Sequence, residues 1–104
     1  MTTVAPEYGA VRHILTSPSI KARTAPHIAE DDFNWTAILA EAGSMSGGEQ
    51  ILVRTAYDLW EAEGKVGILE IARGLDQRSF ERVVHAIALA RGESPARANL
   101  LQAA

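Results

Sequence analysis

The sequence contains no cysteine among its 104 residues. This absence excludes disulfide bonds, thiolate metal sites and cysteine nucleophiles. Long apolar runs are also lacking, and none approaches the roughly 20 residues that a transmembrane helix requires. The first residues, MTTVAPEYGAVRH, have neither a basic start nor an apolar stretch of signal-peptide length. We therefore expect a cytoplasmic protein that does not interact with a membrane.

The composition is typical of one small globular unit. Hydrophobic residues make up 47% of the chain and charged residues 22%, with a formal net charge of −3. Eighteen of the hydrophobic residues are alanine, which favours helices and fills little core volume. No segment alternates apolar and polar residues over the length of a strand. The sequence predicts an all-α fold, a small bundle of three to five short helices with an extended or flexible N-terminal arm.

The prolines suggest how the chain is divided. Three of the four, Pro6, Pro18 and Pro26, lie in the first 30 residues. Each proline removes a backbone donor and disfavours helix in the residue before it. We expect residues 1–30 to form an arm that either drapes loosely or binds a partner. A helical core domain over residues 31–92 and a C-terminal tail or short docking helix over 93–104 should follow.

Two helix starts are well marked within the predicted core. Ser46 and Glu49 stand three residues apart, the arrangement of a capping box, and Asp76 is placed to cap a helix that extends to about Arg91. The apolar residues after each start repeat at helical spacing, so the two helices should pack their apolar faces together. The predicted core comprises Trp35, Leu52, Leu59, Trp60, Phe80, Val83, Val84 and Ile87.

Charge is distributed unevenly along the chain. Residues 30–63 carry eight acidic side chains against Arg54 alone, a net charge of −7. Residues 64–92 carry five basic side chains against three acidic ones, a net charge of +2. Such a pattern is typical of solvated helix faces that attract each other within one fold. It is also compatible with an acidic surface that attracts a basic partner.

The stretch GKVGILEIARGLDQRSFERVVHAI resembles helix-turn-helix and winged-helix DNA-binding domains. In that resemblance Gly74 and Leu75 form the turn, and Ser79 to Ile87 correspond to the recognition helix. The resemblance implies a nucleic-acid-binding regulator that uses residues 65–91, with Arg78, Arg82 and His85 pointing outward to the nucleic acid. This is the alternative hypothesis, because duplex affinity depends largely on neutralised phosphates and the whole chain is acidic.

No constellation of residues points to catalysis. The histidines His13, His27 and His85 are not paired at metal-binding spacing with another ligand type, and the acids at 30–32 lack the spacing of a calcium loop. No nucleophile-elbow pattern is present. We expect no catalytic residues, no metal ligands and no cofactor, and therefore a protein that is not an enzyme.

Several apolar residues have no assigned place in the predicted core. Tyr57 lies between the apolar stripes, and Leu89 falls on the outward side of the last long helix. Leu100 and Leu101 follow near the C-terminus. A contiguous group of exposed apolar side chains indicates an interface. The leading hypothesis is a small, non-enzymatic interaction module that binds another protein or itself through a helix face and its terminal segments.

Overall fold

The structure, a computed structural model, describes residues 5–93 and is all-α, as the sequence predicts. It contains six α-helical segments within these residues, one more than the largest number expected. A 3₁₀ turn over Ala25–His27 follows the second of them, and the only β-type pairing described is an isolated bridge between Ile28 and Phe33. The helices are α1 Pro6–Leu15, α2 Lys21–Thr24, α3 Trp35–Ala42, α4 Gly47–Glu61, α5 Ile68–Gly74 and α6 Gln77–Ala90.

The expectation of an N-terminal arm is corrected for residues 5–30. Helix α1 lies at the centre of the molecule, packed between α6 and α4. Val11, Ile14 and Leu15 are completely buried, and Tyr8 is buried beside them. The core therefore includes the segment that was expected to lie outside it.

The prolines bound this N-terminal structure without interrupting it. Pro6 occupies the first turn of α1, where its missing N–H would have no helical partner in any case. Pro18 follows the end of α1, and Pro26 lies in the 3₁₀ turn. Because each proline stands at a boundary, a proline-rich composition is here compatible with a buried helix. Residues 1–4, the remainder of the predicted arm, lie outside the described residues.

The predicted helix starts are confirmed. The side chain of Ser46 accepts a hydrogen bond from the backbone N–H of Glu49, and the Glu49 carboxylate accepts one from the backbone N–H of Ser46, which completes the capping box of α4. Asp76 caps α6 by accepting from the Ser79 backbone N–H at 2.8 Å. This hydrogen bond lowers the pKa of the Asp76 carboxyl.

Five of the six aromatic side chains form one cluster where α1, α3 and α4 meet. Phe33 stands at its centre, with ring centroids 5.0 Å from Tyr8, 5.1 Å from Trp60 and 5.5 Å from Trp35. Tyr57 packs on Trp35 at 4.8 Å. Aromatic pairs at these distances contribute beyond the area that they bury. Phe80 is the aromatic residue that stands outside the cluster.

The predicted core is correct in part. Leu52 and Val83 are completely or almost completely buried, and Trp35, Leu59 and Trp60 are partly buried against the core. Val84 is half-buried. Phe80 and Ile87 were wrongly assigned to the core, since 36% and 48% of their surfaces are exposed. The reason is that α6 packs on α1 with the side that carries Val83, His85 and Ala86, which leaves Phe80 and Ile87 partly uncovered.

Candidate interaction surface

Of the four residues that the sequence suggested for an interface, the two that the structure describes are partly buried. Tyr57 is half-buried by its contact with Trp35. Leu89 is partly buried and packs against the core, so its expected outward position is corrected. Leu100 and Leu101 lie outside the described residues. None of these four residues therefore identifies an interface in the part of the chain that the structure describes.

The exposed large apolar residues are elsewhere. Helices α5 and α6 present four of them, Ile68, Leu69, Phe80 and Ile87, with 87%, 60%, 36% and 48% of their surfaces exposed. Over the rest of residues 5–93 there is one, Leu39 on α3, at 38%. The exposed apolar surface is thus concentrated on two consecutive helices, which a link of only two residues, 75–76, connects.

Helix α5 exposes its apolar residues because only one of its sides contacts the domain. Ile71 packs partly against the core, and Gly74 lies so close to the Ile51 side chain that a Cβ at this position would come within 2.3 Å of it. The opposite side carries Ile68 and Leu69 into solvent. No residue of α5 is buried, although the helix is rich in isoleucine and leucine.

An ion pair fixes the orientation of α5 against α4. The Arg54 guanidinium lies 2.6 Å from the Glu70 carboxylate and also donates to the backbone carbonyl of Lys65 at 3.4 Å. The Glu70 carboxylate in turn accepts from the backbone N–H of Gly67 at 2.8 Å. These contacts join the start of α5 to the middle of α4, so the exposed side of α5 is held in one direction.

Helix α6 has two unlike faces. Val83 and Ala86 are completely buried on the face that packs on α1. Phe80, Val84 and Ile87 follow one another at spacings of four and three residues, which places them on one side of the helix. We call these three residues the α6 stripe. The stripe combines two exposed side chains with the half-buried Val84.

The residues expected to contact nucleic acid do not share an exposed face. Arg82 points toward α1, where its Nε donates to the backbone carbonyl of His13 at 3.1 Å and its Nη2 lies 3.4 Å from the Thr16 hydroxyl. His85 is only 8% exposed, and its ring centroid lies 4.3 Å from that of His13. Only Arg78 is exposed as the resemblance implied. The outward positions expected for Arg82 and His85 are therefore corrected, because both side chains join α6 to α1.

The contact between α1 and α6 contains a perturbed histidine. Burial, with smaller contributions from the positive charge of Arg82 and from His85, lowers the pKa of His13 from 6.5 to about 4. The Nε2 atom of His13 is buried and has no hydrogen-bond partner within residues 5–93. A protonated His13 ring would be desolvated beside the Arg82 guanidinium, so the folded state favours the neutral ring.

Two surface grooves accompany these helices. The larger, of about 710 Å³, runs between α1 and the end of α6 and includes His13, Arg12 and Glu93. The smaller, of about 470 Å³, lies between the capped starts of α4 and α6. Among residues 5–93, no three histidine, aspartate or glutamate side chains come together as a metal site. The exposed side of the α5 and α6 pair is therefore the strongest candidate site in the described chain.

One sequence signal could have located α1 in the core. Tyr8, Val11 and Leu15 recur at spacings of three and four residues, as on the buried face of an amphipathic helix. The corresponding signal in α6 is misleading, because its apolar periodicity groups Phe80 and Ile87 with Val83, and only Val83 is buried. Which face of α6 is covered depends on the position of α1.

Comparisons with protein-family models, with curated proteins and with solved structures found no match to this chain. Within the described residues, no helix has the length and apolar character needed to span a membrane.

Proposed function

We propose that this protein is a small, non-enzymatic interaction module that binds another protein or a second copy of itself through the outward sides of α5 and α6. The observation that carries the proposal is the concentration of exposed large apolar side chains on these two helices. They hold four such residues, against one in the remainder of residues 5–93.

The physical basis is the free energy of exposed apolar surface. Single exposed leucines and isoleucines are ordinary on a protein surface. Four on two adjoining helices represent a larger unfavourable contact with water, and burial of such a side chain is worth about 1.5 to 3 kcal/mol when it passes from full exposure to full burial. A partner that covers Ile68 and Leu69 on α5, or Phe80 and Ile87 on α6, would gain part of this free energy.

A charged residue on α5 would contribute to selectivity. Arg73 is exposed and forms no ion pair with another residue in the part of the chain that the structure describes. Arginine is enriched at protein interfaces, where its guanidinium pairs with carboxylates at the rim. An apolar surface with an arginine beside it favours a partner surface that carries carboxylates around apolar side chains.

The N-terminal segment has a different place in this proposal from the one expected. The described part of residues 1–30 packs with the domain, so in this proposal it supports α6 from behind. The proposed binding surface is therefore the outward sides of α5 and α6, without the N-terminal segment.

Site-specific photo-crosslinking in living cells tests the proposal. A photoreactive phenylalanine analogue replaces Leu69 or Ile87 in the full chain, and matched controls carry it at Ala22 on α2 or Thr36 on α3, both exposed. We expect protein adducts from positions 69 and 87 and none from positions 22 and 36. Equal adduct formation at all four positions, or none at 69 and 87, would contradict the proposal.

A further inference from the structure

The α6 stripe is bounded by opposite charges. Asp76 stands four residues before Phe80, and Arg91 stands four residues after Ile87. Asp76 is the N-cap and Arg91 the C-cap of α6, so the two charges stand at opposite ends of the stripe, one turn beyond its last residues. Asp76 is exposed, and the Arg91 side chain is 74% exposed. One line on α6 therefore reads acid, three apolar residues, base.

This series of residues is complementary to the same series in a second, antiparallel copy of α6. When two copies of α6 lie antiparallel with Val84 at the centre, Arg91 of each copy comes opposite Gln77 and Asp76 of the other, since both lie seven or eight residues from Val84. Phe80 of each copy comes beside Ile87 of the other. A two-fold axis repeats every contact twice, and the two helix dipoles oppose each other favourably.

The other charges near the stripe do not oppose this arrangement. Arg78 lies two residues before Phe80, about 200° around the helix, and so points away from the stripe. Glu81 lies to one side and accepts a hydrogen bond from the Gln77 amide at 2.9 Å. Arg91 has a long contact of 3.7 Å with Glu93. That surface pair is worth little in water, so the guanidinium is available to a second carboxylate.

We propose, resting on the function proposed above, that the occupant of the α6 stripe is α6 of a second copy of this chain. The two helices pack antiparallel about an axis near Val84, with Arg91 of each copy facing Asp76 of the other. The apolar stripe provides the attraction, and the terminal charges fix the direction. Because the contact covers a few helical turns, its affinity is weak and lies in the micromolar range or above.

Sedimentation equilibrium of the full chain, from micromolar to millimolar concentration, measures this association. We expect reversible dimers of the natural sequence and monomers of Ile87→Asp. Arg91→Glu places like charges opposite each other twice, so the dissociation constant should rise roughly tenfold or more. Arg78→Glu is the matched control, since it makes the same charge change on the far side of α6, and its dissociation constant should stay within about twofold of that of the natural sequence.

A rescue variant tests the antiparallel direction. Adding Gln77→Arg to Arg91→Glu restores opposite charges across the axis and should recover most of the lost affinity. Far-UV circular dichroism and thermal midpoints establish that each variant is folded, which the exposure of the substituted residues favours. An Arg78→Glu effect as large as that of Arg91→Glu, or no rescue by Gln77→Arg, would overturn the arrangement.

The crosslinking experiment distinguishes self-association through α6 from the more general interaction function proposed above. An adduct at position 87 with the mass of two chains supports self-pairing. A chain that stays monomeric at millimolar concentration, with an adduct at 87 to a different protein, overturns self-pairing and leaves the interaction function standing. A monomeric chain with no adduct at 69 or 87 overturns both.

Discussion

The large apolar side chains of helices α1 to α4 are less exposed than those of helices α5 and α6. In the first region the large apolar side chains meet each other, and five aromatic rings share one cluster. Leu39 is the one large apolar residue described there as exposed, against four in the second region. The apolar content of a helix therefore does not show whether its apolar side chains are covered by other helices. What distinguishes the two regions is that the neighbours of α5 and α6 within residues 5–93 leave Ile68, Leu69, Phe80 and Ile87 exposed.

The same contrast exists within α6. Its inner side supplies Val83 and Ala86 to the core and directs Arg82 to the backbone of α1. Its outer side presents Phe80 and Ile87. One helix is thus both a central structural element and the candidate binding element, so substitutions on its two sides should have separable effects.

The largest expected effect comes from matched isoleucine substitutions. Ile14→Ala on α1 removes a completely buried side chain and should lower the free energy of unfolding by about 2 to 5 kcal/mol. Ile87→Ala on the outer side of α6 should change it by no more than about 0.5 kcal/mol. Urea denaturation at a concentration that keeps the chain monomeric measures both. Equal losses of unfolding free energy in the two variants would contradict the difference in burial between the two regions.

A smaller difference is expected between two arginines of α6. Arg82→Met leaves the His13 carbonyl without its charged donor and should cost about 1.5 to 3 kcal/mol of unfolding free energy. Arg78→Met changes an exposed side chain and should stay within about 0.5 kcal/mol of the natural sequence. Denaturation curves compare the two. If Arg78→Met were the more damaging, Arg82 would not be the residue that joins α6 to α1.

The contact between α1 and α6 should also weaken in acid. The folded state holds the pKa of His13 at about 4, against 6.5 ordinarily, so the unfolded chain binds more protons between these values. Stability should be unaffected by this ring above pH 6.5 and should fall as the pH decreases toward 4. We expect a loss of about 1 to 2 kcal/mol, less than the full linkage value because the ring is half-exposed.

Because other charged and titratable groups surround the His13 ring, this measurement needs a control variant that lacks only that ring. Arg82 and His85 face it from α6, and Arg12 and Glu93 line the same groove. Carboxylates elsewhere also titrate in this range, so the measured quantity is the difference between the natural sequence and His13→Leu, which carries no proton at any pH. Parallel stability profiles for the two proteins would show that His13 is not the source of the acid sensitivity.

The smallest expected effect concerns the start of α4. Ser46→Ala removes the acceptor for the Glu49 backbone N–H and should cost about 1 kcal/mol of unfolding free energy. Ser19→Ala is the control, since Ser19 is exposed and makes no hydrogen bond with another described residue, and its effect should be within about 0.5 kcal/mol. If both variants lowered the thermal midpoint equally, the capping box would not be what stabilises the start of α4.

Local signals were sufficient to predict several helix boundaries. The caps at Ser46 and Asp76 depend on hydrogen bonds between residues only three apart in the sequence. The proposed interface was not predictable in the same way. Tyr57 and Leu89 were candidate interface residues, and residues distant in sequence partly cover both of them.

Sequence alone determined the helical class, the capped starts of α4 and α6 and the absence of thiol chemistry, because each of these follows from residue type and short-range spacing. Only the tertiary structure decided that residues 6–15 form a central helix and that α6 turns Arg82 inward and Phe80 outward. The physical reason is that residue type determines only whether burial of a side chain is favourable. Which of the apolar side chains are buried depends on packing between helices that are far apart in the chain.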